Sequence, residues 1–423
     1  MLQLSQIHQS TEEIIERLAL RNYDGKKAIE SILENDKRRK EKQGELDGIL
    51  AQMNTISKEI GLLFKSGDNE KAGKLKQHTT ELKEKSRQSS EELHTLEKDI
   101  QDILLEIPNV PNPSVPSGNS EKDNELIKEG GTIPKLGESS QPHWDLAEKY
   151  GIIDFELGSK ITGSGFPVYK NKGAKMQRAL LNFFLDNATK EGYTEMQPPI
   201  LVNEDSGYGT GQLPDKDGQM YHVGLDNFYL SPTAEVPLTN MFRNNIVDIK
   251  ELPIKITAYT PCFRREAGSY GKNVKGLNRL HQFDKVEIVQ ITQPNNSYSV
   301  LESMCSYVEG LLMQLQLPYR IVKLCGGDLG FTAALTYDFE VYSAGQKRWL
   351  EVSSVSNFEA FQANRLKLRI KGLDKKAQLA HTLNGSALAF PRILAALLEN
   401  NQSSEGIKVP DALVPYTGFD IIQ

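Results

Sequence analysis

From about Gly25 to Ile107 the chain contains no proline, and apolar residues recur at alternating steps of three and four: Leu46, Ile49, Met53, Ile56, Ile60, Leu63. That alternation is a heptad seam, a narrow stripe on one side of an α-helix. The pattern breaks at Ser66-Gly67-Asp68-Asn69, a turn composition, and resumes at Leu75, Leu82, Leu93, Leu96, Ile100 and Ile103. The spacing predicts two helices folded back on one another, each roughly 50 Å long at about 1.5 Å per residue. So narrow a seam cannot serve as the core of a domain, so the hairpin is expected to project from a body as an arm. Thr11-Glu12-Glu13 with Ile14, Ile15 and Leu18 predicts a short capped helix at the arm's base.

At 423 residues the chain is long enough for two or three domains. Residues 1–107 are assigned to the arm domain. Pro108, Pro111, Pro113 and Pro116 exclude helix, so 108–130 is expected to be a linker. Residues 131–423 form the body. There, glycines and prolines punctuate short β-branched runs, and two helices stand out. One covers roughly Lys172–Lys190, with Met176, Leu180, Phe183 and Phe184 on its buried face, and the other about Arg392–Asn400. Strands that follow one another directly argue for an α+β body on an antiparallel sheet with flanking helices. No GxxxxGK[ST] and no strand–GxGxxG–helix unit occurs, which argues against P-loop and dinucleotide-binding sites. The net charge of −6 excludes a general nucleic-acid coat, so any such contact must be local. Three widely spaced cysteines and the lack of a long apolar run predict a reduced, cytoplasmic protein without a membrane partner.

The richest chemistry lies in FRREAGSYGKNVKGLNRLHQF, Phe263 to Phe283. A strand-like run, Ile256-Thr257-Ala258-Tyr259, leads in. A loop with Gly268, Gly271 and Gly276 follows, and Lys285-Val286-Glu287-Ile288-Val289 leads out as another strand. Forked guanidiniums suit phosphate oxygens, whereas Glu266 can only accept, for instance from the exocyclic amine of adenine. Phe283 could stack on a purine. An isolated Arg-Arg-Glu is more often a salt-bridged surface; the rest of the chain changes that balance.

FRREAG with HQF resembles the second signature motif of class II aminoacyl-tRNA synthetases. Met196-Gln197-Pro198-Pro199-Ile200 resembles the first, and Leu383-Asn384-Gly385-Ser386-Ala387-Leu388-Ala389 with Arg392 the third. Ser231-Pro232-Thr233-Ala234-Glu235-Val236-Pro237, Glu351-Val352-Ser353-Ser354 and the N-terminal hairpin narrow the resemblance to seryl-tRNA synthetases, over essentially the whole chain. The resemblance implies ATP-dependent ligation of L-serine to serine tRNA through a seryl-adenylate, with ATP as substrate and Mg2+ as cofactor. Selenocysteine tRNA could also be charged with serine. Arg264, Arg279 and Arg392 are then the catalytic cations. Arg264 holds the α-phosphate and also borders the serine site, and Arg279 and Arg392 hold the outer phosphates. Glu266 reads the adenine amine, Phe283 stacks on the ring, and Glu351 and Ser354 hold Mg2+. Thr233, Glu235, Glu287, Asn384 and Ser386 form the serine pocket. The family further implies a homodimer, with its first motif at the interface and a tRNA held by one subunit's arm charged by the other subunit.

Lys37, Arg38, Arg39 and Lys40 on one arm helix, and Lys74, Lys76, Lys83 and Arg87 on the other, resemble a grip on the long variable arm of serine tRNA. Charge runs on a coiled coil are otherwise usually a solvated face. Ala387 and Phe390-Pro391 depart from the family pattern beside Arg392, although proline fits a first helical turn. Val355 stands where the family often has cysteine, so no zinc is expected. His281 is expected to be structural, bonded to backbone, and Cys262 simply a small buried residue. Two other readings fit parts of the chain. One is a paralogue that activates an amino acid for a non-tRNA carrier, against which the long arm counts. The other is an inactive coiled-coil scaffold, against which the complete set of Arg264, Glu266, Glu351 and Arg392 counts.

Overall fold

The computed structural model describes residues 1–137, 140–266, 274–372 and 376–423. Gly268 and Gly271 therefore lie outside the described residues. The chain divides into two compact units. One comprises Leu2–Ala19 and Tyr23–Pro108, the other Met1, Leu20–Asn22 and Asn109–Gln423.

In the first unit two short helices, α1 (Leu4–Gln9) and α2 (Thr11–Ala19), pack against the start of α3 (Lys26–Ser66), which pairs with α4 (Asn69–Glu106). With 41 and 38 residues, the long helices each run to about 60 Å. They exceed the expected length because α3 begins well before the seam, where Ile29 and Ile32 are buried. The seam residues of α3 from Leu46 to Leu63 are only half-buried, as a two-helix interface dictates. On α4 Leu82, Leu93, Leu96 and Ile100 are buried, and then Leu104 rather than Ile103, because the last step is four residues. The turn ends α3 at Gly67, whose φ of +82° favours glycine. The Asp68 amide returns to the Leu63 carbonyl at 3.1 Å, and the Asp68 side chain caps α4 by accepting from the Lys71 amide.

One charged residue is buried in this unit. Asp36 is 1% exposed and meets His8 Nε2 at 2.7 Å, Arg39 at 2.9 Å and Lys40 Nζ at 2.7 Å. Burial alone would raise its carboxyl, but Lys40, His8 and Arg39 together pull it down to about 2. The cluster ties α1 to α3.

The second unit is built on an eight-stranded sheet. In chain order its strands are β1 (Glu125–Gly130), β2 (Thr194–Glu195), β3 (Ile254–Phe263), β4 (Gln282–Thr292), β5 (Tyr319–Lys323), β6 (Leu335–Ser343), β7 (Arg348–Asn357) and β8 (His381–Ala389). Their spatial order is β1-β5-β6-β7-β8-β4-β3-β2. All neighbours are antiparallel except β2, which joins β3 in parallel. The stretch read as a linker is not one throughout. Between its prolines Asn109 and Asn112 donate backbone bonds to Phe331 O and Ala334 O, and Glu125–Gly130 forms the edge strand. Proline forbids helix there, but not an extended chain that pairs on one side.

In this unit α5 (His143–Lys149), α6 (Asn171–Lys190), α7 (Glu235–Asn240), α8 (Ser297–Gln314), α9 (Phe361–Leu366) and α10 (Phe390–Asn400) flank the sheet. Met176, Leu180, Phe183 and Phe184 of α6 share the main core with Leu301 and Val308 of α8 and Ile393 and Leu397 of α10. Pro391 lies in the first turn of α10, so the departure beside Arg392 leaves the helix intact. Strand alternation sorts β4: Val286 and Ile288 join the main core, while Phe283, Lys285, Glu287 and Val289 share the opposite parity. None of the described helices is long and apolar enough to cross a membrane.

Asp36→Ala should leave His8, Arg39 and Lys40 without their anion and destabilise the protein by about 2 kcal/mol in chemical denaturation. Because the folded value lies below the ordinary one, this contribution is present above about pH 4 and is lost as pH falls toward 2. Unchanged stability at neutral pH would show that the cluster holds nothing.

Candidate active site

Strands β3 and β4 are paired from Phe263↔Gln282 to Ile254↔Ile291, and β4 pairs in turn with β8, where Glu287 faces Ser386 and Val289 faces Asn384. Glu287, Asn384 and Ser386 therefore lie on one sheet face. Above it α7 brings Glu235. A single side-chain amide links the two acids: Asn384 Nδ2 donates to Glu235 Oε2 and to Glu287 Oε1, both at 3.0 Å. Thr233 donates its hydroxyl to Glu287 Oε2 at 2.9 Å, and Lys285 forms an ion pair with the same carboxylate. Gln362 of α9, fully buried, donates to Glu235 Oε1 at 2.6 Å and is itself oriented by the Thr382 hydroxyl at 2.8 Å. The Ser386 carbonyl accepts from Ser353 at 2.6 Å. Burial first, then the charge of Glu287, raises the Glu235 carboxyl to about 7. The result is a buried polar cluster with excess negative charge, chemistry that suits an ammonium group beside a short hydroxyl.

Sequence reasoning passed over Lys285 and Gln362. Lys285 was legible in principle, since the i, i+2 spacing to Glu287 in one strand puts both on one face. Gln362 carries no local signal.

The second cluster lies around the ends of β3 and β4. The Arg264 guanidinium sits over the Phe283 ring at 5.3 Å and donates Nε to Pro232 O at 3.4 Å. Glu266, at φ +48°, accepts from Arg279 at 2.9 Å. Arg392 reaches the same region from α10, with Nε on Asn278 O at 3.0 Å and Nη1 on Glu351 O at 2.7 Å. Three arginines thus converge, and each is held by an acid, a ring or a backbone carbonyl.

Glu351 and Ser354 are three apart in β7, which in a regular strand would put them on opposite faces. A bulge intervenes: Ser353 pairs with Phe339 and Glu351 with Glu340, leaving Val352 extra. Ser354 Oγ then lies 3.4 Å from Glu351 Oε1. Asp338, directly across the ladder from Ser354, is a half-buried acid that the sequence reading missed. Its Oδ1 has no hydrogen-bond partner, and burial, then Glu351, raise its carboxyl well above the usual range.

The His281 ring bonds the Tyr221 hydroxyl at 3.0 Å and stacks on Phe166, rather than bonding backbone as expected. Cys262 is buried, and burial raises its thiol. On the arm helices Arg39 and Lys40 are committed to Asp36, Lys74 pairs with Glu70, and Arg87 pairs with Glu84 and Glu91. Lys37, Arg38, Lys76 and Lys83 are exposed, and none has an ion pair among the described residues.

Comparison with known proteins decides among the readings. Residues 1–111 match the seryl-tRNA synthetase N-terminal domain, and residues 221–401 match the tRNA synthetase class II core domain (G, H, P, S and T). A serine–tRNA ligase of Salinibacter ruber is 49% identical over 421 residues, covering 99% of this chain and 98% of its own. The chain belongs to the seryl-tRNA synthetase family. One from Chlorobium phaeobacteroides is 45% identical over the full length of both chains. Among solved structures, the Pyrococcus horikoshii seryl-tRNA synthetase complexed with ATP superposes with a TM-score of 0.93 at 34% identity, covering 100% of this chain and 99% of that one. The Naegleria fowleri enzyme in complex with AMP gives 0.86 at 28% identity, covering 97% and 96%. This chain is thus a serine-specific class II aminoacyl-tRNA ligase.

The Glu235 carboxyl should titrate with a midpoint near 7 by carbon-13 NMR, and Glu287→Gln should lower that midpoint by removing the like charge. An ordinary midpoint in the parent protein would contradict the buried acid pair.

Proposed function

We propose the following division of labour for the ATP-dependent activation of serine and its transfer to tRNA. The serine carboxylate attacks the α-phosphorus of ATP, a P–O bond forms, the bond to the bridging oxygen breaks, and pyrophosphate leaves with its electron pair. The nucleophile is already an anion, so no general base is required, and catalysis reduces to positioning and charge stabilisation. This accounts for a site rich in arginine with no catalytic histidine or cysteine.

Arg264, beside Phe283 and next to the serine pocket, serves the α-phosphate and the reacting carboxylate. Phe283 offers a face to the adenine, and Glu266 accepts from its exocyclic amine. Arg279 and Arg392 serve the outer phosphates, exchanging their present partners Glu266 and Glu351 for phosphate oxygens. Thr233, Glu235, Glu287, Asn384 and Ser386 receive serine, the two acids meeting its ammonium group. The observation that carries this reading is the Asn384 bridge at 3.0 Å to both acids, which fixes two carboxylates around one small polar space. A pocket that hydrogen-bonds a hydroxyl rejects alanine by leaving buried polar groups unpaired.

Glu351 and Ser354 would hold Mg2+, and the unpaired Asp338 oxygen and crowded carboxyls beside them fit a divalent cation. When bound, the ion supplies charge neutralisation on the phosphate oxygens. On the arm helices, Lys37, Arg38, Lys76 and Lys83 are better placed for tRNA phosphates than Arg39, Lys40, Lys74 or Arg87, which already have carboxylate partners. Homodimerisation through the first motif is proposed from the family.

Arg264→Ala should lower serine-dependent pyrophosphate exchange by about a hundredfold or more while the circular dichroism spectrum is unchanged. Retained exchange would remove Arg264 from the chemistry. Serine affinity should fall as pH drops below about 7, approaching tenfold per pH unit, because a cation favours the ionised Glu235, and should level off above it. A calorimetric titration that finds no pH dependence would exclude Glu235 as an ammonium partner. Lys37→Glu with Arg38→Glu should weaken tRNA binding and flatten its salt dependence, whereas an unchanged slope would move the contact elsewhere.

A further inference from the structure

A second buried acid lies outside the pocket. Glu399, on α10 about two turns after Arg392, is completely buried. Its Oε1 accepts from the His143 amide at 2.9 Å, His143 Nδ1 at 2.7 Å and Gln346 Nε2 at 3.0 Å. Its Oε2 accepts from the amides of Gly345 at 3.0 Å and Gln346 at 3.2 Å, and from the Ser343 hydroxyl. Burial would raise this carboxyl, but the bonds from His143 and Ser343 hold it below the ordinary value. His143 Nε2 accepts from the Leu277 amide at 2.8 Å, which assigns the ring proton to Nδ1 and makes the imidazole a relay from Glu399 to Leu277.

Everything beyond the relay belongs to the chain leg that carries Arg279. Lys275 lies over the Trp144 ring at 4.7 Å. Gly276, at φ +69°, lets the backbone approach so closely that a Cβ would come within 2.2 Å of His143 Nε2. Asn278 donates its side-chain amide to Gln346 Oε1 at 2.9 Å, and its carbonyl accepts from Arg392 Nε at 3.0 Å. One carboxylate therefore governs two arginines, Arg279 through the adjoining backbone and Arg392 through the Asn278 carbonyl. Packing alone would be served as well by an apolar side chain, since a buried charge costs desolvation.

We propose that Glu399 and His143 are positioning residues for adenylate formation, locking residues 275–279 so that Arg279 and Arg392 meet the outer phosphates of ATP. The inference rests on the roles given to those arginines above. Neither residue touches substrate. The pair acts on nucleotide triphosphate and leaves the adenine and α-phosphate contacts alone.

The test compares calorimetric affinities for ATP and for AMP, which lacks the outer phosphates, in the full-length protein with Mg2+. Glu399→Gln places N–H groups among donors and should weaken ATP binding about tenfold, leaving AMP within about twofold. His143→Ala should do the same. His143→Gln, which keeps an acceptor for Leu277 and a donor for Glu399, should restore most of the loss. Gln346→Met cuts the link to Asn278 and removes only one donor from the buried carboxylate, which keeps its bonds from His143, Ser343 and the Gly345 and Gln346 amides, and should give a smaller loss in the same direction even if the core variants fail to fold. Equal losses for ATP and AMP, or a lower melting temperature with both affinities intact, would overturn the positioning role. Arg279→Ala and Arg392→Ala serve as controls. If they spare the preference for ATP over AMP, the phosphate reading falls and takes this inference with it. If they abolish it while Glu399→Gln and Gln346→Met do not, only the positioning role is lost.

Discussion

Strand β4 is paired along almost its whole length on both sides, with β3 from Gln282↔Phe263 to Ile291↔Ile254 and with β8 from Lys285↔Ala389 to Thr292↔His381. This double register decides which face every side chain of the site takes. A slip of one residue would send Glu287 and Lys285 into the aliphatic core and bring Val286 and Ile288 to the pocket. The core prevents this, because Val286 and Ile288 are fully buried in the main core, where β4 packs against α6 and α10. Hydrophobic burial thus sets the register, and the register sets the chemistry.

Placing acids on that face has an electrostatic consequence. Glu235 and Glu287 are buried and Asp338 is half-buried, and each answers this differently. Glu287 has Lys285, Thr233 and Asn384 around it, whereas Glu235 has only neutral amides from Gln362 and Asn384 and is raised to about 7. Asp338 keeps an unpaired oxygen. Such strained carboxyls suit sites that await cations, which under the function proposed above are an ammonium group and a metal ion. The three arginines are kept ordered by an acid, a ring and backbone carbonyls, so under the proposed function little reorganisation is needed when phosphates replace those partners.

Much of this was legible before any coordinates. The heptad seam could only be a helical hairpin, and the prolines could only interrupt helix. The three motifs named the residues that meet on the sheet. The linker reading failed because proline density reports what the backbone cannot do, and leaves open whether an extended segment finds a sheet edge. Asp338, Gln362 and the Glu399–His143 pair had no signal at all, since each acts through neighbours that are distant in the chain. The bulge at Val352 was equally hidden, because a strand's sequence does not say where its partner lacks a residue.

By itself the sequence determined the long antiparallel helices, the α+β class, and the residue types available for an anion and for an ammonium group. Periodicity and steric exclusion are local properties, and motif spacing is carried along the chain. Only the tertiary structure decided that one asparagine would bridge two acids, which basic residues of the helical hairpin are already neutralised, and that a carboxylate on the last long helix would hold the backbone beside Arg279. Those outcomes depend on distances between groups far apart in sequence, where an ångström separates a hydrogen bond from none.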